Sequence, residues 1–133
     1  MNANSELVKK LFDACNQKDF ETARGLLHDD YSLKDPLMEL HSADEMIEMM
    51  KNCPGGGMAE NLTMIAEDDK VVTLFDGTMQ DKTQKMRMCS VVTVEGGKVK
   101  SEEMFYDTAK MPQEMKDMMQ KGKSPEDAAL AAH

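Results

Sequence analysis

The sequence has no tryptophan, only 5% aromatic residues and just three cysteines among its 133 residues. The cysteines (Cys15, Cys53 and Cys89) are odd in number and widely spaced, and they contain no Cys-x-x-Cys pair. Disulfide frameworks use even numbers of cysteines, and zinc sites use closely spaced ones. We therefore expect reduced thiols, no disulfide framework and no metal site.

Positive charge is also scarce. The chain has 16 Lys and Arg against 25 Asp and Glu, which gives a formal net charge of −9. Its longest basic cluster is the pair Lys9-Lys10. Because an acidic protein repels phosphate backbones, we expect no nucleic-acid partner.

Long apolar segments are missing as well. No part of the sequence approaches the roughly 20 apolar residues that span a bilayer. The opening residues lack the basic segment followed by an apolar stretch that marks a secretory signal. These absences predict neither membrane insertion nor secretion, and we expect a cytoplasmic protein without a membrane partner.

What the chain does have is an ordinary globular composition, 41% hydrophobic and 31% charged, with an unusual 15 methionines. Methionine is flexible and polarizable, so it fills irregular cores and adaptable pockets. The run Met86-Arg87-Met88-Cys89 offers soft ligands that could bind copper(I). Because the methionines are scattered along the whole chain, the pattern favours packing over metal binding.

The first half of the chain is predicted to be helical. Three segments have apolar residues at helical spacing behind a capping residue: Ser5 before a helix ending near Asn16, Asp19 before residues 20–28, and Ser42 before a helix that Pro54 ends. Ser42 and Glu45 have the spacing of a capping box. A short extended segment at residues 31–34 precedes Pro36, which pushes Asp35 out of the helical region.

The second half is predicted to be strands. Four segments are rich in β-branched residues and methionine and are separated by turn signals at 68–69, 80–82 and 95–97: residues 62–66, 71–78, 85–94 and 98–106. Helices followed by an antiparallel meander indicate an α+β domain, with helices packed on one face of a curved sheet. We assign residues 1–110 to this domain and residues 111–133 to a helical extension, with helices at 112–121 and 124–132.

Four segments of the sequence resemble ketosteroid isomerases and SnoaL-type polyketide cyclases, which belong to the nuclear-transport-factor-2-like superfamily. Residues 9–20 (KKLFDACNQKDF) and 26–36 (LLHDDYSLKDP) are similar to the opening of those proteins. Residues 42–47 resemble the start of their third helix, and residues 98–107 resemble their last strand. The resemblance covers about residues 6–107. It implies a cone-shaped α+β barrel around one ligand pocket, and a homodimer that forms through the sheet face.

The resemblance also implies a catalytic position for Asp35, which stands where the isomerases place their general base. A carboxylate in apolar surroundings suits that task. The alternative is that Asp35 merely begins the Asp-Pro turn. The isomerase's helix-one tyrosine corresponds to Leu11, and its protonated aspartate falls on or beside Ser90. Since Leu11 can donate no hydrogen bond, steroid isomerisation by the family's own mechanism is disfavoured.

Glu102 is the second candidate catalytic residue. By resemblance it lies at an inward position of the last strand, where it would face Asp35 and repulsion would raise one of the two pKa values. The alternative is a slip of one residue, which would send Glu102 to solvent and Glu103 inward.

The predicted pocket wall is mostly apolar and would suit a flat, mostly apolar small molecule; it comprises Leu11, Cys15, Met38, Met88, Ser90, Met104 and Tyr106. Three hypotheses follow. The chain is a cofactor-independent isomerase, cyclase, dehydratase or hydrolase that uses Asp35 and Glu102, or a non-catalytic binding module with the same pocket, or an interaction protein whose cone is filled by its own methionines.

Overall fold

The described chain begins with helices α1 (Ala3–Asn16) and α2 (Phe20–Leu26), and helix α3 (Ala43–Lys51) follows a short strand pair. The computed structural model describes residues 2–52, 58–78, 85–110, 113, 116 and 117. The predicted turn at 80–82 lies outside the described residues. So do the predicted tail helices, except that residues 113, 116 and 117 are helical.

Each helix starts at a polar side chain that accepts a backbone hydrogen bond. Asp19 caps α2 and Ser42 caps α3, as the sequence predicts. The prediction that Ser5 caps α1 is wrong, because the side chain of Asn2 accepts from the amide of Ser5 at 2.8 Å and the helix starts earlier. Asparagine and serine are comparable N-caps, so the sequence alone does not choose between them.

Six strands follow the helices or lie between them: β1 (Leu27–Lys34), β2 (Glu39–Leu40), β3 (Ala59–Glu67), β4 (Lys70–Thr78), β5 (Lys85–Glu95) and β6 (Lys98–Phe105). They form one sheet in the order β2-β1-β6-β5-β4-β3. The β1–β6 pair is parallel and the other pairs are antiparallel. This mixed sheet, with β2 and β3 at its two edges, is not closed into a barrel.

Strand β1 begins earlier than the sequence predicts. Helix α2 ends at Leu26 rather than at His28, because Leu27 is already extended and pairs with Val99 of β6. Leu27 is therefore buried in the core as a residue of β1 and not as a residue of α2. His28 therefore lies on β1, where its Nδ1 accepts from the amide of Asp30 at 2.9 Å.

The helices pack on one face of the sheet, which we call the inner face. Its core joins Val8, Leu11 and Ala14 of α1 to Val71 and Val92 of the sheet. The opposite, outer face carries the exposed hydrophobic residues Ile65, Leu74 and Phe105.

A β-bulge in β6 decides which of its side chains point inward. Val94 pairs with Val99, but Thr93 pairs with Ser101, so Lys100 is an extra residue on β6. A bulge of this kind shifts the alternation of side chains by one position. As a result both Val99 and Glu102 lie on the inner face.

Candidate functional site

Asp35 follows the last residue of β1 and is only 8% exposed. Its Oδ1 accepts hydrogen bonds from the amides of Leu37 at 2.7 Å and Met38 at 2.9 Å. Its own amide donates to the carbonyl of Met38 at 3.0 Å. Asp35 thus begins the turn between β1 and β2 and at the same time presents a buried carboxyl group.

Glu102 lies on β6 between Leu33 of β1 and Val92 of β5, and it is also 8% exposed. The hydroxyl of Tyr31 donates to Oε1 at 3.2 Å, and the hydroxyl of Ser90 donates to Oε2 at 2.8 Å. Glu103 is exposed. Of the two orientations that the sequence allows, the structure has Glu102 inward and Glu103 outward.

The surroundings of Glu102 favour its neutral form. Burial raises the pKa of this carboxyl, the hydrogen bonds from Ser90 and Tyr31 lower it, and the nearby charge of Asp35 raises it, with a net rise. Burial together with Glu102 also raises the pKa of Tyr31 well above its usual value. A carboxyl that keeps its proton can serve as a hydrogen-bond donor or a general acid.

Tyr106 lies next to Asp35, just beyond the end of β6. Burial, followed by the charge of Asp35 and a hydrogen bond to its side chain, raises the pKa of Tyr106. Tyr106 packs with Leu37, Met86 and Met88 in a small apolar cluster separate from the main core. Every second residue of β5 points to the inner face, and these residues include Met86, Met88 and Ser90. The carboxyl group of Asp35 is therefore hydrogen-bonded to the hydroxyl of Tyr106, and the thioether groups of Met86 and Met88 lie in the same cluster as Tyr106.

Thr73 is a further polar residue of the inner face. It is directly opposite Ser90 across the β4–β5 pair and is 0% exposed. Its Oγ1 has no hydrogen-bond partner among the described residues. Buried hydroxyls nearly always have a partner, so Thr73 calls for an explanation.

Cys15 lies on α1 with a partly buried, free thiol. Burial, followed by the charge of Glu102, raises its pKa to about 12. Its Sγ lies 3.8 Å from Sδ of Met50. Since the thiolate is the nucleophilic form, the structure argues against Cys15 as a nucleophile.

The structure connects some of the predicted site residues by hydrogen bonds and places the others in the apolar packing around them. Asp35 contacts Met38 and Tyr106, and Glu102 contacts Ser90. Leu11 lies in the main core, Cys15 and Met104 pack against it, and Met88 belongs to the small cluster of Tyr106.

Sequence reasoning missed Tyr31 and Thr73 as parts of the site. Tyr31 could have been found from strand alternation, because it is two residues before Leu33 on the predicted extended segment. Thr73 had no comparable signal, since a threonine inside a predicted strand is ordinary.

Three further observations concern metal ligands, membrane-spanning helices and surface grooves. In the portion of the chain that the structure covers, no three or more His, Cys, Asp or Glu side chains are grouped so that they could hold a metal ion. None of the described helices is both long enough and apolar enough to cross a membrane. A surface groove of about 330 Å³ is lined by Asp30, Thr93, Lys100 and neighbouring residues, but neither Asp35 nor Glu102 lines it.

Solved structures with the same fold include an NTF2-like protein of unknown function from Cytophaga hutchinsonii, with a TM-score of 0.72 and 17% identity over 80% of this chain and 91% of that one. A candidate ketosteroid isomerase from Kribbella flavida has a TM-score of 0.72 and 18% identity over 83% of this chain and 82% of that one. An LEH-like epoxide hydrolase from M. tuberculosis has a TM-score of 0.70 and 15% identity over 98% of this chain and 97% of that one.

These identities establish the fold alone, which is the α+β fold of NTF2-like proteins. A comparison with curated proteins finds no match. The family comparison is more specific, because the SnoaL-like domain matches residues 8–102, a span that contains Tyr31, Asp35, Thr73, Ser90 and Glu102. The chain belongs to the SnoaL-like family.

Proposed function

We propose that the chain is a cofactor-independent enzyme that performs acid–base chemistry on an apolar small molecule, with Asp35 as the base and Glu102 as the acid. The observation that carries the proposal is the presence of two buried carboxyl groups on one inner face, in surroundings that differ. When two carboxyl groups have different surroundings, one can act as the base and the other as the acid. The reaction class is an isomerisation, a dehydration or a hydrolysis.

The contacts of Asp35 suit a base. Two backbone amides fix one of its oxygens, and the hydroxyl of Tyr106 is the side-chain partner of the carboxyl. A carboxylate whose orientation is fixed by the backbone needs little reorganisation when it accepts a proton from carbon or water.

The contacts of Glu102 suit an acid. Burial raises the pKa of this carboxyl, which favours the protonated form that an acid needs. In an isomerisation, Asp35 would remove a proton from a carbon beside a carbonyl, and Glu102 would supply a proton to the developing enolate oxygen. Both groups would then return to their starting states when the product is reprotonated at another carbon.

The apolar residues beside Asp35 support an apolar substrate. The buried Met86 packs with the partly buried Leu37, Met88 and Tyr106, so thioether and aliphatic groups lie near the tyrosine that contacts Asp35. Methionine adapts its shape to different partners, which suits a pocket for a flat molecule.

The test combines turnover and binding in matched variants. Purified protein is assayed with styrene oxide for hydrolysis and with a non-conjugated cyclohexenone for isomerisation, and the binding of para-hydroxybiphenyl is followed by its fluorescence. We expect Asp35→Asn to lower turnover by about a hundredfold to ten-thousandfold, as loss of a general base does, with little change in phenol affinity.

Asp30→Asn is the matched control, because Asp30 is an exposed aspartate on the same strand. It should keep full turnover and full affinity. Retained turnover in Asp35→Asn would refute the catalytic role of Asp35. Phenol binding with no turnover of either substrate by the unaltered protein would instead support a non-catalytic binding module.

We also propose a cytoplasmic homodimer that forms through the outer face of the sheet. Ile65 is 63% exposed and Phe105 is 49% exposed there. Strand pairing aligns Ile65 with Val72 and Val91, and aligns Phe105 with Cys89 and Leu74 on the same face. Contiguous exposed apolar surface is typical of interaction sites.

A further inference from the structure

The starting observation is the unpartnered hydroxyl of Thr73. It is completely buried, it lies on the inner face of β4, and no group of the described residues forms a hydrogen bond with its Oγ1. Leaving a buried hydroxyl without a partner costs free energy that a bound polar group would recover. Thr73 therefore marks a place where an oxygen or nitrogen atom from outside the chain would be stabilised.

Ser90, the cross-strand neighbour of Thr73, can accept a further hydrogen bond beside Thr73. Ser90 is directly opposite Thr73, and side chains in such cross-strand pairs have Cβ atoms roughly 5 Å apart. The hydroxyl of Ser90 donates its only hydrogen to Oε2 of Glu102. The lone pairs of Ser90 Oγ remain available to accept a hydrogen bond.

A hydroxyl group is the ligand that satisfies both side chains at once. It can donate its hydrogen to Ser90 Oγ and accept the hydrogen of Thr73 Oγ1. It would extend the hydrogen-bonded series that runs from Tyr31 through Glu102 to Ser90. A carbonyl oxygen could only accept, so it would satisfy Thr73 and leave the acceptor of Ser90 unused.

We propose that Thr73 and Ser90 form a subsite for a ligand hydroxyl, so that the substrate is an apolar molecule with a hydroxyl at the end remote from Asp35. This inference rests on the proposed function, because it assumes that the ligand occupies the inner face beside Asp35. Asp35 follows β1, whereas Thr73 and Ser90 lie on β4 and β5. Strands β1 and β5 are two strand spacings apart and β1 and β4 are three, which puts Ser90 roughly 10 Å and Thr73 roughly 14 Å from Asp35. A biphenyl body with a hydroxyl at its far end has a length in this range.

The first measurement compares two threonines of β4 by thermal unfolding. Thr73→Val keeps the side-chain shape and removes a hydroxyl without a partner, so we expect an unchanged or raised Tm. Thr78→Val removes a hydroxyl that accepts from the amide of Met58 at 3.1 Å, so we expect a Tm lower by about 3–6 °C. An equal loss in both variants would overturn the inference, because the hydroxyl of Thr73 would already have a partner within the protein.

The second measurement compares para-hydroxybiphenyl with para,para-dihydroxybiphenyl, which differ by one remote hydroxyl. We expect the unaltered protein to bind the dihydroxy compound about fivefold more tightly, the gain of a typical neutral hydrogen bond. Thr73→Val should remove this preference, and Thr78→Val should keep it although it is less stable.

The outcomes separate this inference from the proposed function. If both compounds bind equally, or if the preference survives in Thr73→Val, the subsite is refuted while the apolar site beside Asp35 stands. If neither compound binds at all, the shared site on the inner face is refuted, and the subsite falls with it. Loss of the preference in Thr73→Val alone supports the subsite.

Discussion

At the scale of single residues, the two carboxyl groups of the site differ in what supports them. Asp35 is held by backbone amides of its own turn, whereas Glu102 depends on side-chain hydroxyls from two other strands. Local backbone donors are present as soon as the turn forms. The hydroxyls of Tyr31 and Ser90 reach Glu102 only when β1, β5 and β6 have paired. The properties of Glu102 are therefore a product of the tertiary fold.

The pKa of Glu102 leads to a prediction about stability and pH. The folded-state pKa is raised above its ordinary value of 4.5, so the favourable contribution of this group is fully present below about pH 4.5 and is lost as the pH rises through the folded-state value. Glu102→Gln cannot ionise and keeps groups that can bond Tyr31 and Ser90. We expect the free energy of unfolding of Glu102→Gln to rise relative to the unaltered protein as the pH increases from about 4 to about 8.

Urea unfolding at several pH values checks this prediction. Glu103→Gln is the control, because Glu103 is the exposed neighbour on the same strand and loses the same formal charge. Its unfolding free energy should follow that of the unaltered protein across the range. A constant difference between Glu102→Gln and the unaltered protein at every pH would contradict a raised pKa for the Glu102 carboxyl.

The sequence identified Glu102 as a candidate site residue but left the orientation of its side chain open. Regular alternation starting from the buried Val99 would put Ser101 and Glu103 on the inner face. The extra residue at Lys100 reverses this, so Glu102 and Met104 point inward instead. The bulge depends on pairing with β5, and the sequence of β6 contains no signal that sets its position. The sequence could only offer the two orientations.

At the scale of elements, the order of helices and strands was predictable, and their ends were less so. Strands β4, β5 and β6 follow the predicted segments closely, because turn residues bound each apolar run. The start of β1 was missed because Leu27 continues the helical spacing of α2, and only its pairing with Val99 makes it extended. Strand β2 was missed because two residues are too few for a periodic pattern.

The end of α1 is joined to the start of β3 by one side chain. Nδ2 of Asn16 donates to the carbonyl of Ala59 at 2.9 Å, and the backbone amide of Ala59 donates to Oδ1 of Asn16 at 2.8 Å. Asn16→Ala would remove both bonds and leave partly buried backbone groups unpaired. We expect a loss of about 1–3 kcal/mol in the free energy of unfolding.

Chemical denaturation of Asn16→Ala measures this loss, with Asn4→Ala as the control. Asn4 is also on α1, but its hydrogen bond to the carbonyl of Asp68 is exposed to solvent. The control should change stability by less than about 0.5 kcal/mol. Equal effects in the two variants would show that the joint between α1 and β3 adds nothing beyond an ordinary surface contact.

At the scale of the whole molecule, helices α1, α2 and α3 all cover the same face of the sheet. The outer face has two apolar rows across neighbouring strands: Ile65, Val72 and Val91 in one, and Leu74, Cys89 and Phe105 in the other. We call these six residues the outer apolar patch. A second copy of the chain would cover the patch and leave the site on the inner face open to a ligand.

This arrangement predicts a dimer that one charge can disrupt. A stable interface buries about 800 Å² on each partner, and residues near its centre contribute most of the affinity. We expect the unaltered protein to be a dimer at micromolar concentration. Ile65→Lys places a charge in the outer apolar patch and should weaken association by about thirtyfold or more, because the interface would bury an unpaired charge. Light scattering after size-exclusion chromatography measures both masses.

Ser32→Lys is the matched control, because it introduces the same charge at an exposed position of β1 outside the outer apolar patch. The control should remain a dimer, and both variants should fold, since neither position is buried. A monomeric mass for the unaltered protein would refute the dimer. Dissociation by Ser32→Lys but not by Ile65→Lys would move the interface toward β1, and the outer apolar patch would then need a different partner to account for its exposure.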